Sequence, residues 1–364
     1  MTVSAEVEHW RGFGSLAARA LDRRPARLSA LALCLAVAGC SARTIEGLPP
    51  RAYYATGFPL SDVSGELERL LPSVLRVQVR GFYDVYLFSE AGAPTEEEIG
   101  LGEAVLSRAE STTTSTLAQA ATALLIGVNG RRGTLLTTDH GITRPDTTLV
   151  LFPSVAGGGG PRTVERIAIR RRQLSTVVGP MFVEPFDVLA RSPGGDLAII
   201  GVDVPEDVGP ATLDPLQVTM GEPRRLSWGS LVYVIGHPAG SLMVTRAIVS
   251  RPELGSGDAF LTDGLVNEGA SGAVILAVRG DTEELEWVGI ARAAATRREQ
   301  RLVPAIGSSG ASRSDEPYDG PIYLREVEEI RYGISFSIPA SEIREFLGEH
   351  RARLAEVGYS IPLR

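Results

Sequence analysis

From Ala121 onward the chain is written as short apolar runs separated by turn formers. "ATALLIGVNG", "GTLLTTDH", "DTTLVLF", "TVERIAI", "DVLA", "DLAIIGVDV", "GSLVYVIG", "VTRAIVS", "AVILAV", "EWVGIARAA" and "YGISFSI" each have strand length, and Gly, Pro, Asn or Asp punctuate the gaps. Short strands bury their apolar faces against one another, so the series predicts an antiparallel barrel or a sandwich. Asn129-Gly130 between two runs predicts a tight hairpin. "AGGGGP" (156–161) predicts a surface loop.

Upstream, "SVLRVQVRGFYDVYLF" (73–88) alternates well enough for one or two strands. Residues 92–120 read as a polar insertion with some helical character, and no repeat recurs along the chain. One helix closes the fold. Ser341 is its expected N-cap, Glu342 favours its first turn, Ile343, Phe346, Leu347 and Leu354 share a face, and Gly358 stops it.

The N-terminus reads as an address. Arg19, Arg23, Arg24 and Arg27 precede the apolar run "LSALALCLAVAG" (28–39), which is too short to span a bilayer. "LAVAGCS" resembles the bacterial lipobox, which implies cleavage before Cys40 and lipid attachment to it. Residues 1–39 are then a lipoprotein signal peptide and 40–71 a turn-rich tether. The expected location is the bacterial cell envelope, with the membrane reached through the lipid. Removal of the signal also removes Cys34, which leaves no disulfide partner.

Inventory excludes several chemistries. All 36 basic residues are arginine, so Ser-Lys hydrolysis, Schiff-base catalysis and a Walker lysine are absent. A net charge of −8 gives no basic footprint for nucleic acid. Three histidines outlast the signal peptide: His140, His237 and His350. No HExxH spacing occurs, and neither a metal nor a cofactor is expected. His350 falls on the polar side of the terminal helix, and His237 lies in a Gly/Pro turn after a strand.

His140 closes "GTLLTTDH", Asp196 opens the apolar run "DLAIIGV", and Ser271 stands in "GASGA", where Gly269 and Gly272 permit a sharp turn. The order His, Asp, Ser together with these motifs resembles the trypsin-like serine endopeptidases of the chymotrypsin fold, and within them the bacterial HtrA/Deg branch. The family's Thr-x-x-His motif falls on Thr137 and His140, its Asp-Leu-Ala motif on Asp196, and its Gly-x-Ser-Gly-Gly motif on Gly269 and Ser271. "VYVIGHPAG", "VTRAIVS", "LTDGLVNEG", "WVGI" and "GISFSIPASEIREFL" continue the resemblance in the same order.

That resemblance implies a mainly β fold of two antiparallel six-stranded barrels, expected over 72–205 and 206–340, with residues 341–364 as C-terminal helix and tail. Insertions are expected near 90–118 and 153–190. It implies a His140–Asp196–Ser271 triad acting on protein or peptide substrates, with the N–H groups of Gly269 and Ser271 as oxyanion hole. It places Leu265 at the floor of the specificity pocket, which points to an aliphatic or small side chain before the cut. The sequence departs from the family pattern at Ala270, Ala273 and Val274 around the serine, and Asp139 adds a charge beside His140. No PDZ domain is expected after the terminal helix. Two other classes stay open: a catalytically inactive protease-like scaffold that binds protein segments, and a structural envelope lipoprotein. Oligomeric state is not indicated.

Overall fold

The computed structural model describes residues 52–59, 61–152, 161–206, 208, 213–255, 259–264, 267–304 and 322–361. Seven strands come first: β1 (Val74–Leu87), β2 (Ser111–Asn129), β3 (Arg132–Thr138), β4 (Thr147–Leu151), β5 (Val164–Val178), β6 (Val183–Ser192) and β7 (Leu197–Asp203). They pair in the order β1-β2-β3-β7-β6-β5-β4, and β1 also pairs with β5. Six of them therefore form a closed antiparallel barrel, with β4 added outside on β5.

Seven more follow: β8 (Thr219–Met220), β9 (Leu231–Gly236), β10 (Met243–Arg251), β11 (Leu261–Thr262), β12 (Val274–Val278), β13 (Leu285–Pro304) and β14 (Ile322–Pro339). Their order is β12-β9-β10-β11-β14-β13-β8, closed by β12 on β13. A second six-stranded barrel results, with β8 appended in parallel to β13. Sandwich packing, open on the residues alone, is thus replaced by two closed barrels.

The texture of the strands explains the closure. In β2, Ala123 and Leu125 point into the first barrel while Leu124 and Ile126 point into a core shared by both barrels. In β12, Ile275 and Ala277 fill the second barrel while Val274, Leu276 and Val278 join the shared core. A strand buried on both faces reads as an unbroken apolar run, which is how "ALLIGV" and "AVILAV" appear. Each fully buried Leu, Ile or Val is worth about 1.5–3 kcal/mol relative to exposure.

Several expectations are corrected. Residues 111–118, assigned to a polar insertion, belong to β2 and pair with β1 from Leu87↔Ser111 inward. Their threonines suit a pleated, exposed strand as well as a loop, so polarity misled. The helical character lies in one 3-10 turn, Glu97–Leu101, and one short turn, Glu103–Leu106. The expected runs "TVERIAI" and "DVLA" do form strands, but as the longer barrel strands β5 and β6, which occupy most of the second expected insertion. Residues 153–160, which include most of the expected glycine loop, lie outside the described residues. β13 and β14 are much longer than the runs that announced them, pairing from Gly289↔Pro339 to Pro304↔Ile322.

The terminal helix, Ala340–Glu356, buries Ile343, Phe346, Leu347 and Leu354 as expected. Its N-cap is Pro339 rather than Ser341, because β14 runs straight into the helix and Pro339 is still paired with Gly289. The helix and the segment after it fasten to the first barrel. Arg353 donates to the Leu189 carbonyl, Arg132 to Val357 at 3.1 Å and Asn129 to Gly358 at 3.0 Å. The Tyr359 ring lies on Gly201.

Candidate active site

His140 and Asp196 meet because their strands do. β3 pairs with β7 up to Thr138↔Leu197, so the residues just beyond each end are neighbours. Asp139 N–H donates to the Asp196 carbonyl at 3.2 Å, and His140 N–H to Asp196 Oδ1 at 3.0 Å. Asp196 adopts φ 55° after the "SPGG" turn. Short polar side chains such as Asp tolerate this left-handed region best, and it costs about 1–2 kcal/mol for an L residue. Here it delivers a carboxylate that is only 8% exposed directly under the imidazole.

His140 Nδ1 stands 2.8 Å from Asp196 Oδ2, and its Nε2 stands 2.9 Å from Ser271 Oγ. A proton on Nδ1, held by the carboxylate, leaves Nε2 as an acceptor for the serine hydroxyl. That hydroxyl is also 3.1 Å from the Arg292 carbonyl. Arg292 returns to the site a second time, donating Nε–H to Asp196 Oδ2 at 3.1 Å. Burial pushes the Asp196 carboxyl pKa up, but the His140 ring and N–H and the Arg292 guanidinium outweigh it and hold it below the usual value.

Ser271 comes from the loop that precedes β12. Gly269 (φ 96°) and Gly272 (φ 91°) bend it, and neither position accepts a side chain. A Cβ on Gly269 would overlap the His237 carbonyl oxygen, and one on Gly272 the Thr122 carbonyl oxygen. The loop's carbonyls are each held from behind. Ala239 N–H donates to Glu268 at 2.7 Å, Thr122 Oγ1 to Gly269 at 2.7 Å, Ala273 N–H to Ala270 at 2.9 Å, and Thr122 N–H to Ser271 at 2.8 Å. Ala270 N–H donates to Asn267 and Gly272 N–H to Ala291. Among the described residues, no acceptor takes the N–H groups of Gly269 and Ser271, the two donors that the family resemblance assigns to the oxyanion hole. The departures at Ala270, Ala273 and Val274 are buried packing positions and leave the turn closed.

The structure thus brings together His140, Asp196, Ser271 and Gly269. Leu265 and Cys40 lie outside the described residues. Asp139 is no free charge beside His140, because Arg191 binds its carboxylate, with Nη2 3.0 Å from Oδ2. His237 stands behind the loop, its N–H donating to Thr122 Oγ1 at 2.9 Å and its Nε2 lying 3.0 Å from the Val74 carbonyl. Burial, with Arg76 nearby, draws the His237 pKa down despite that carbonyl. His350 packs edge-on against Phe346 on the terminal helix and takes no part in the site. Sequence reasoning missed Thr122 and Arg292. Each was visible only as a polar residue inside an apolar run, "AATALLIG" and "GIARAAA". No group of residues able to hold a metal occurs among the described residues.

Residues 121–290 match the trypsin-like peptidase domain. That span includes His140, Asp196 and Ser271 and ends two residues before Arg292. Among solved structures, the chain is similar to a serine endoprotease from Yersinia pestis, at 15% identity and a TM-score of 0.40, covering 80% of this chain and 67% of that one. It is also similar to a protease from M. tuberculosis in its active form, at 15% identity and a TM-score of 0.39, covering 84% of this chain and 92% of that one. No curated protein matches the sequence.

Proposed function

We propose that this serine-type peptidase is an endopeptidase of the bacterial cell envelope, anchored by lipid on Cys40, that cleaves envelope proteins through His140, Asp196 and Ser271. The observation that carries the reading is the unbroken chain of hydrogen bonds from Asp196 Oδ2 through the imidazole to Ser271 Oγ, at 2.8 and 2.9 Å. In the forward step His140 Nε2 takes the hydroxyl proton as Ser271 Oγ bonds to the scissile carbonyl carbon. The resulting oxyanion is received by the N–H groups of Gly269 and Ser271. Collapse breaks the C–N bond, the imidazolium returns its proton to the leaving amine, and an ester on Ser271 remains. Water, deprotonated by the same imidazole, then attacks the ester carbonyl; the bond to Ser271 Oγ breaks, the imidazolium returns its proton to that oxygen, and the new carboxyl end leaves. Asp196 keeps the ring in the required tautomer and offsets the imidazolium charge.

Cleavage is expected after aliphatic or small residues, in line with Leu265 at the pocket floor by family resemblance. The decisive experiment is labelling of the mature protein with a fluorophosphonate, alongside Ser271→Ala and His140→Ala. Label on the wild type and on neither variant is the expected result. An unlabelled wild type that still binds peptides would replace the enzyme with a scaffold. Loss of radiolabelled palmitate incorporation on Cys40→Ala tests the anchor.

A further inference from the structure

The serine loop belongs to the second barrel, yet two of its carbonyls are held by one residue of the first. β2 pairs with β3 only from Leu124↔Leu136 onward, so Thr122 lies just beyond that ladder and its backbone groups are free to bond elsewhere. All of them do. Its N–H donates to the Ser271 carbonyl at 2.8 Å, its hydroxyl donates to the Gly269 carbonyl at 2.7 Å and accepts from His237 N–H at 2.9 Å, and its carbonyl accepts from Thr137 Oγ1 at 2.7 Å. Thr122 is fully buried, as is Thr137, three residues before His140. Gly272, where a side chain would strike the Thr122 carbonyl, lets the loop come this close.

We infer that Thr122 is the positioning residue of the serine loop, fixing the peptides that follow the Gly269 and Ser271 N–H groups and tying them to the strand that carries His140. The inference rests on the proposed peptidase mechanism and adds to it a residue that never touches substrate. Rotation of the Gly269–Ala270 peptide would require its carbonyl to leave the Thr122 hydroxyl, and buried acceptors without a partner are costly. That peptide and Ser271–Gly272, whose carbonyl Thr122 N–H holds, each follow directly on the peptide that carries a donor N–H, so Thr122 restrains both donors from the next peptide along. Misplacement of reacting groups by about 1 Å costs roughly 10²-fold in rate. The effect falls on kcat, because the oxyanion forms only after substrate has bound.

The test compares Thr122→Val, which keeps shape and backbone but removes the hydroxyl, with Thr122→Ser, which restores it. With a peptide substrate cleaved by the wild type, Thr122→Val is expected to lower kcat about 10²-fold with KM within about threefold, while Thr122→Ser stays within about threefold of wild type in both. Affinity for a peptide boronate, which forms the tetrahedral adduct, should fall in parallel with kcat, and affinity for a non-reactive peptide of the same sequence should not. If Thr122→Val does not fold, Thr122→Ala removes the hydroxyl without a bulkier group and carries the same expectation. A folded hydroxyl-free variant with unchanged kcat, or one that loses only thermal stability, overturns the inference and leaves the triad standing. A wild type that neither cleaves nor labels overturns the mechanism beneath it instead.

Discussion

The two barrels bring different kinds of parts to the same cleft. The first supplies His140 and Asp196, two side chains placed by strand register and joined by their own backbone N–H groups. The second supplies Ser271 and two peptide N–H groups, carried on a glycine turn whose anchors include Thr122 of the other barrel. The first half is self-contained but for Arg292, and the second is borrowed into place. Substitutions in the first should act through charge and proton transfer, and substitutions around the second should act through backbone conformation.

The largest expected effect breaks the comparison at its shared centre. Ser271→Ala and His140→Ala should each lower kcat by about 10⁶-fold, and the double variant should be no worse than either, because the two groups act as a unit. A double variant clearly worse than both singles would mean that each barrel contributes an independent route. Next comes the glycine turn. Gly269→Ala places a methyl group against the His237 carbonyl at φ 96°, so kcat should fall about 10²–10³-fold, with a lowered Tm by circular dichroism.

The sequence announced the side-chain half and was silent on the borrowing. His140, Asp196 and Ser271 stand at strand ends with turn formers beside them, a pattern that periodicity and local motif both expose. The barrel walls were legible for the same reason, since runs buried on two faces are continuous. The outer parts of β2, β5, β13 and β14 were not, because polar, β-branched strands that extend past a core look like loops. Thr122 and Arg292 stayed hidden because each acts on a partner more than ninety residues away, and no local spacing encodes such a contact.

Arg292 sharpens the comparison at a smaller scale. It is the one second-barrel side chain that donates to the Asp196 carboxylate among the described residues, and 48% of it is exposed. A half-exposed ion pair is worth at most about 1 kcal/mol, so Arg292→Gln should lower kcat/KM by about fivefold or less in steady-state assays. A larger loss would show that the first half is not self-contained.

The smallest effect is on stability and depends on pH. His237 has a folded pKa below its ordinary 6.5, so the unfolded chain binds its proton first as the solution is acidified. Its contribution is present in full above about pH 6.5 and is lost as pH falls toward the folded value. The wild type should therefore lose Tm relative to His237→Gln between roughly pH 7.5 and pH 5, with the two curves parallel at alkaline pH.

The terminal helix gives the molecule an order in time. His140, Asp196 and Ser271 are all made before residues 340–361, yet those residues fasten the second barrel to the first through Arg353, Arg132, Asn129 and Tyr359. A chain emerging from the ribosome thus carries every reactive group before the contacts that join the barrels through this helix can form. The last described helix to be made is the one that ties the two barrels together.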